Sequence, residues 1–267
     1  LFPYTTLFRS AHVHANGIRQ HYLRYGGHGP ALILIPGITS PAITWGFVAE
    51  RLGEKYDVYV LDVRGRGLSS SGPELAYDAE TCAQDVNAFA AALSLASYAL
   101  LGHSMGARFA LRAAVLQPAG VRRLVLVDPP VSGPGRRAYP GQWPWYADSI
   151  RQSLPGMSAE QMRAFCPTWS EEQRRLRAEW LHTCYEPAIQ RAYDDFHQVD
   201  SHRDYPLLTM PTLLMAAGKG GVIQPEDRAE IRALQPEIAI VEVENAGHMI
   251  PWDDFDGFFR ALGDFLD

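Results

Sequence analysis

Between Tyr98 and Leu116 the chain reads YALLGHSMGARFALRAAVL: a short continuous apolar run, then Gly102-His103-Ser104-Met105-Gly106, then apolar residues at helical spacing. The first run suits a strand buried on both faces, and the last suits an amphipathic helix. The turn between them must be tight, and a glycine on either side of Ser104 removes the Cβ atoms that would clash there. G-x-S-x-G between a strand and a helix holds its serine at the tip of the turn, with the hydroxyl exposed at the carboxyl end of a sheet. Ligands of open α/β sheets bind at that end. The helix that starts at Met105 offers its first N–H and the positive end of its dipole to a developing oxyanion. This stretch therefore calls for a largely parallel, two-side-covered sheet, with Ser104 as candidate nucleophile.

The rest of the chain keeps the same rhythm. His12–Tyr25 alternates about Asn16-Gly17 and reads as a hairpin. Ala31–Ile35, Asp57–Leu61, Tyr98–Leu101 and Leu124–Val127 read as buried strands, separated by helical patterns over Pro41–Gly53, Ala79–Leu95 and Met105–Leu116. From Pro129 to about Tyr205 no strand-like run occurs, and the segment is rich in Trp, Tyr and Arg. Alternation resumes with Pro211–Ala216, Glu226–Leu234, Ile238–Val243 and Phe255–Phe265. The expected organisation is one α/β core, with a mostly parallel sheet flanked by helices. Residues 11–128 form its first part, 129–205 a helical cap insertion, and 206–267 its second part. Leu1–Ser10 stands apart. LFPYTTLFRS has no initiator Met and no basic start, and it resembles a translated sequencing adapter. It is excluded from the expected fold, which is taken to begin near Ala11.

Composition narrows the function. The 267 residues are 47% hydrophobic and 20% charged, as expected of a globular domain large enough to need no covalent staples. The net charge of −6 is scattered along the chain, which argues against a nucleic-acid surface. No apolar run approaches the roughly 20 residues of a membrane helix. Cys82, Cys166 and Cys184 have no metal-like spacing and read as reduced thiols of a cytoplasmic protein. His12 and His14 share one strand face without an evident third ligand. A small-molecule substrate and no metal or cofactor are expected.

A serine hydroxyl needs a general base. His248, in Asn245-Ala246-Gly247-His248-Met249 after the last expected strand, reaches the same end of the sheet. His103 adjoins Ser104 but is held in the turn, which suits a supporting role. The serine motif, together with Asp62-Val63-Arg64-Gly65-Arg66-Gly67-Leu68-Ser69, resembles the α/β-hydrolase fold. That fold usually carries its acid after the strand following the cap. Here the stretch is Gly218-Lys219-Gly220-Gly221, with glycine in the acidic place. Asp227 lies further on, at a helix start where dipole compensation explains it. Asp128 ends the buried run Leu124-Val125-Leu126-Val127, beside the strand of Ser104. A carboxylate buried there needs a partner, and a His248 imidazolium would supply one. Asp128 is therefore the expected orienting acid. The Ile38 N–H, in Pro36-Gly37-Ile38-Thr39-Ser40, is the expected second oxyanion donor beside Met105.

Within that fold the chain resembles the N-formylmaleamate deformylase family of nicotinate degradation. The resemblance rests on SPAITWGFVAERLG, VDPPVSGPGRRAYP, RAEWLHTCYEPAI and AGHMIPWDD, which span core and cap. It implies the same set, Ser104, Asp128 and His248, and hydrolysis of N-formylmaleamate to maleamate and formate without a metal. Such a substrate carries a carboxylate, so its pocket should offer a cation or several donors. Arg136, Arg137 and Ser132, entering the cap, are the expected candidates, with Trp45, Tyr139 and Trp143 as lining aromatics. A carboxylesterase, a lactonase or a carbon–carbon bond hydrolase of the same fold is the alternative. A non-catalytic small-ligand receptor is disfavoured by the intact Ser, Asp and His.

Overall fold

A computed structural model of the protein describes residues 8–267. The hairpin β1 (Arg9–Ala15) and β2 (Ile18–Tyr25) turns through Asn16 and Gly17, both at positive φ, as a two-residue turn of the primed type requires. β3 (Ala31–Ile35) leads through a 3₁₀ turn into α1 (Gly46–Leu52), and β4 (Asp57–Leu61) leads to α2 (Ala79–Ala92). β5 (Tyr98–His103), α3 (Met105–Leu116) and β6 (Val121–Val127) complete the first half. The chain then runs through α4 (Trp143–Ser153), α5 (Ala159–Met162), α6 (Glu171–Trp180) and α7 (Glu186–Gln198). It returns to the sheet with β7 (Thr212–Ala217), α8 (Pro225–Leu234), β8 (Ala239–Val243), α9 (Ile250–Asp253) and α10 (Phe255–Leu262). Among the described residues no helix is long and apolar enough to cross a membrane.

Eight strands form one sheet in the order β1-β2-β4-β3-β5-β6-β7-β8, antiparallel at the β1 and β2 edge and parallel from β4 onward. The continuous apolar runs are explained by their alternation between two cores. Ile33, Ile35, Leu100, Leu124 and Leu126 face α2, α3 and the helices after β6. Leu32, Leu34, Leu101, Val125 and Val127 face α1 and α10. A strand with helices on both faces has no side left for polar residues.

The first ten residues need a correction at their end. Arg9 and Ser10 belong to β1, paired with Arg24 and Leu23, and the Phe8 ring lies 5.5 Å from that of Tyr25. Backbone ladder bonds accept almost any side chain, so an odd composition did not keep these residues out of the sheet. Residues 1–7 lie outside the described residues.

The loop between β4 and α2 is fixed by buried charge. Arg64 donates to both carboxylate oxygens of Asp85 at 2.5 Å and to the Ala76 carbonyl at 2.8 Å, and Asn16 donates to the same carboxylate at 2.7 Å. Asp85→Ala leaves the Arg64 guanidinium buried without its counter-charge, which costs about 3–5 kcal/mol. In urea the unfolding midpoint should fall accordingly with an unchanged slope.

Candidate active site

The turn at Ser104 is as tight as the motif requires. A Cβ at Gly102 would lie 2.3 Å from the Gly106 carbonyl oxygen, and one at Gly106 would lie 2.1 Å from that of Ile35. Ser104 itself has φ 53° and ψ −119°, a conformation that a residue with a side chain adopts only under constraint. The constraint includes the Ser104 N–H, which donates to the Val127 carbonyl at 2.9 Å and ties the turn to β6. The Ser104 hydroxyl is thereby held at the carboxyl end of β5.

His248 meets that hydroxyl from the loop after β8. Its Nε2 lies 3.0 Å from Ser104 Oγ, and its Nδ1–H donates to Asp128 Oδ2 at 2.6 Å. The carboxylate acceptor fixes the tautomer, so Nε2 is left as a hydrogen-bond acceptor facing the Ser104 hydroxyl. Asp128 follows β6, is fully buried and has φ 44°. Its N–H donates to the Met215 carbonyl at 2.8 Å, and its carboxylate accepts from the Ala217 N–H at 3.3 Å and the Val222 N–H at 3.1 Å. The glycine in the usual acidic place has a steric reason. A Cβ on Gly221 would stand 2.7 Å and 2.8 Å from the two Asp128 carboxylate oxygens. The two positions compete for one space, and here Asp128 fills it. Asp227 is elsewhere: it accepts from the Gln224 N–H at the start of α8 and pairs with Arg137.

His103 supports the His248 loop. Its Nε2–H donates to the His248 carbonyl at 3.0 Å, and its ring packs against Trp45 and His248. Burial first, and the neighbouring His248 second, push its pKa down to about 3, so it stays neutral at ordinary pH. The Gly247 N–H, which donates to Asp253 at 2.9 Å, fixes the other side of the His248 loop. Met105 is the first residue of α3, so its N–H has no carbonyl within the helix to bond. Ile38 lies in the loop after β3 that walls the same cavity.

That cavity, of about 270 Å³, opens over Ser104 and His248. Tyr139 lines it as expected, its hydroxyl 3.0 Å from that of Tyr146. Burial raises the Tyr139 pKa well above the ordinary phenol value, so the group remains a neutral donor.

Five other expected pocket residues are placed differently. Arg136 forms a paired bond to Glu230 at 2.7 Å, and Arg137 binds Asp227 and the Val222 carbonyl, so both fasten the chain after β6 to α8. Ser132 is buried, and its carbonyl accepts from Arg108. Trp45 is fully buried beneath the site, with its ring 4.9 Å from Trp252. Trp143 packs against Tyr193, away from the cavity.

The cation in the wall is Arg177 on α6, which sequence reasoning missed. It is 3% exposed, donates to the Thr39 carbonyl at 3.0 Å and the Thr39 hydroxyl at 2.9 Å, and lies between the Trp145 and Trp169 rings. It has no carboxylate partner among the described residues, and its Nε is buried without a hydrogen bond. α6 reads EEQRRLRAEW, in which one arginine among several carries no mark of its different environment.

Comparison with known proteins follows the same outline. A family model described as alpha/beta hydrolase fold matches residues 30–255. Over 263 residues the chain is 70% identical to an N-formylmaleamate deformylase of Pseudomonas putida, covering 98% of each chain. The crystal structure of a serine-to-alanine variant of the N-formylmaleamic acid deformylase from Pseudomonas putida S16 superposes with a TM-score of 0.92. It is 54% identical and covers 96% of this chain and 100% of that one. A 2-(acetamidomethylene)succinate hydrolase of Mesorhizobium japonicum is 24% identical over 92% of this chain and 91% of its own.

The crowding at Gly221 is directly testable. Gly221→Ala should displace the Asp128 carboxylate, lower stability by about 1–3 kcal/mol through overpacking, and abolish the low-field proton resonance of the His248 Nδ1–H···Asp128 bond. Asp227→Asn should leave that resonance in place.

Proposed function

This chain belongs to the α/β-hydrolase fold family, and we propose that it hydrolyses the N-formyl amide of N-formylmaleamate to maleamate and formate. The observation that carries the reading is one cavity floored by Ser104 and His248, with Asp128 buried behind them in hydrogen-bonded line, and with Arg177, which has no carboxylate partner among the described residues, in its wall. The near full-length identity to an N-formylmaleamate deformylase supports the substrate.

In this reading Ser104 passes its proton to His248 Nε2 as its Oγ bonds to the formyl carbon. The carbonyl electrons move to oxygen, where the N–H groups of Ile38 and Met105 hold the oxyanion. Asp128 keeps the imidazole in the correct tautomer and stabilises the imidazolium. Collapse breaks the carbon–nitrogen bond, and His248 gives its proton to the departing nitrogen. A second acyl group on that nitrogen makes it a better leaving group than an amine. Water, deprotonated by His248, then attacks the formyl-serine, and formate leaves as Ser104 regains its proton. Arg177 receives the distal carboxylate. Its unused Nε–H and its placement between two indole rings suit a planar, charge-assisted contact. The three cysteines are buried and unpaired, which supports a cytoplasmic working place.

The defining measurement is kcat/KM for N-formylmaleamate and its amidated analogue, followed by formate release, and for a neutral short-chain ester, followed by release of its acid. N-formylmaleamate should be preferred, and amidating its carboxylate should cost a charged hydrogen bond of about 2 kcal/mol. Arg177→Met should remove the difference between acid and amide. Clear preference for the neutral ester would replace the deformylase with a generic esterase.

Asp128→Asn should fold and lose about 10⁴-fold in kcat. Asp227→Asn should stay within a few-fold of the wild type. The reverse ranking would move the orienting acid to α8.

A further inference from the structure

Arg66 is fully buried on the loop between β4 and α2, and the mechanism above does not use it. Its guanidinium has no carboxylate in ion-pair reach among the described residues. Instead Nε–H donates to the Ile38 carbonyl at 3.1 Å and Nη1 to the Arg64 carbonyl at 2.8 Å. Nη2 contacts Met105 Sδ at 3.2 Å and the Ala188 carbonyl at 3.4 Å. The nearby thiols of Cys82 and Cys184 are pushed up to about 12 by burial, so neither supplies a counter-charge. A buried charge without a counter-charge is costly, and a well-packed apolar side chain would join the same elements at less cost. Stability therefore does not account for this residue.

Its partners do. Ile38 and Met105 are the two residues whose N–H groups are the candidate oxyanion donors, and Arg66 touches both. The bond to the Ile38 carbonyl fixes one of the two peptide planes that meet at that residue. The contact with Met105 reaches the first residue of α3. A protonated guanidinium at this point also favours negative charge in the cavity beside it. We propose that Arg66 is a positioning residue for the oxyanion hole, setting the two donors and adding a fixed positive charge behind them. Such a group favours the tetrahedral state over the planar ground state, because only the former carries the oxyanion.

The test separates tetrahedral from planar ligands and does not require N-formylmaleamate to be the substrate. Methylboronic acid forms a boron–oxygen bond to Ser104 Oγ, with the serine proton passing to His248, and so mimics the tetrahedral anion. Acetamide is planar and uncharged and makes no such bond. In Arg66→Met, boronate affinity and kcat for p-nitrophenyl acetate should fall together, tenfold or more. KM and the inhibition constant of acetamide should stay within twofold. Unchanged boronate affinity, or equal weakening of boronate and acetamide, would overturn the proposal.

Should Arg66→Met fail to fold, Arg66→Lys keeps the charge and loses the fork. A lysine buried there titrates at lowered pH. Its boronate affinity relative to wild type should therefore fall as pH rises, with acetamide flat. A pH-independent ratio would refute the role. If wild-type protein released no formate from N-formylmaleamate, the substrate reading would fail while this comparison stood.

Discussion

The Asp128 carboxylate is the constraint on which the rest of the site depends. It is fully buried, and its charge is held by two backbone N–H groups and by the His248 imidazole at 2.6 Å. Each of those partners comes from a different part of the chain: the end of β7, the loop before α8 and the loop after β8. The order of strands is therefore also the order of donors around one anion. Remove the imidazole and a carboxylate is left with too little compensation. Add a side chain at position 221 and the carboxylate has no room. The acid, the glycine and the histidine form one arrangement, and none can be moved independently of the others.

Short-range features of this arrangement were legible in the sequence, because local chemistry decides them. Glycines flanking a serine between a strand and a helix allow little but the turn observed. An apolar strand ending in Asp-Pro-Pro placed Asp128 beside Ser104 once neighbouring strands were assumed to pair. Asn16-Gly17 carried its hairpin for the same reason. Arginine roles were not legible. Arg136 and Arg137 are near the cavity in sequence order, yet Glu230 and Asp227, some ninety residues later, claim them. Arg177 lies in a strongly polar helix and looks solvated until the fold turns it inward. A guanidinium's function is set by whether a carboxylate reaches it, and that is a long-range fact. Trp45 failed for a related reason: an aromatic can fill a core or line a cavity, and only packing chooses.

Arginine also holds the helices after β6 onto the sheet, mostly through backbone carbonyls. Arg108 on α3 donates to the carbonyls of Ser132, Asp195, Phe196 and Val199. Arg177 reaches back to Thr39, and the Tyr185 N–H donates to the Gly65 carbonyl at 2.8 Å. Carbonyl partners leave the guanidinium charge uncancelled. In the cavity wall Arg177 thus keeps its charge, whereas a carboxylate partner would have cancelled it while giving equal rigidity.

That distinction matters because the whole chain has a net charge of −6. At long range such a protein repels an anionic ligand, so steering does not bring one to Ser104. Attraction must come from groups whose charge survives at the site itself. Arg177 in the wall and Arg66 behind the proposed oxyanion donors are both buried, and neither has a carboxylate partner among the described residues. Exposed charges are screened beyond about 8–10 Å at physiological salt, but buried ones are screened much less. The local field therefore outweighs the global one only after the ligand has shed its water and entered. In the proposed hydrolysis, selection would be made by desolvated contact inside the cavity: one cation would meet charge already present in the ground state, and the other would meet charge that develops as the carbonyl is attacked.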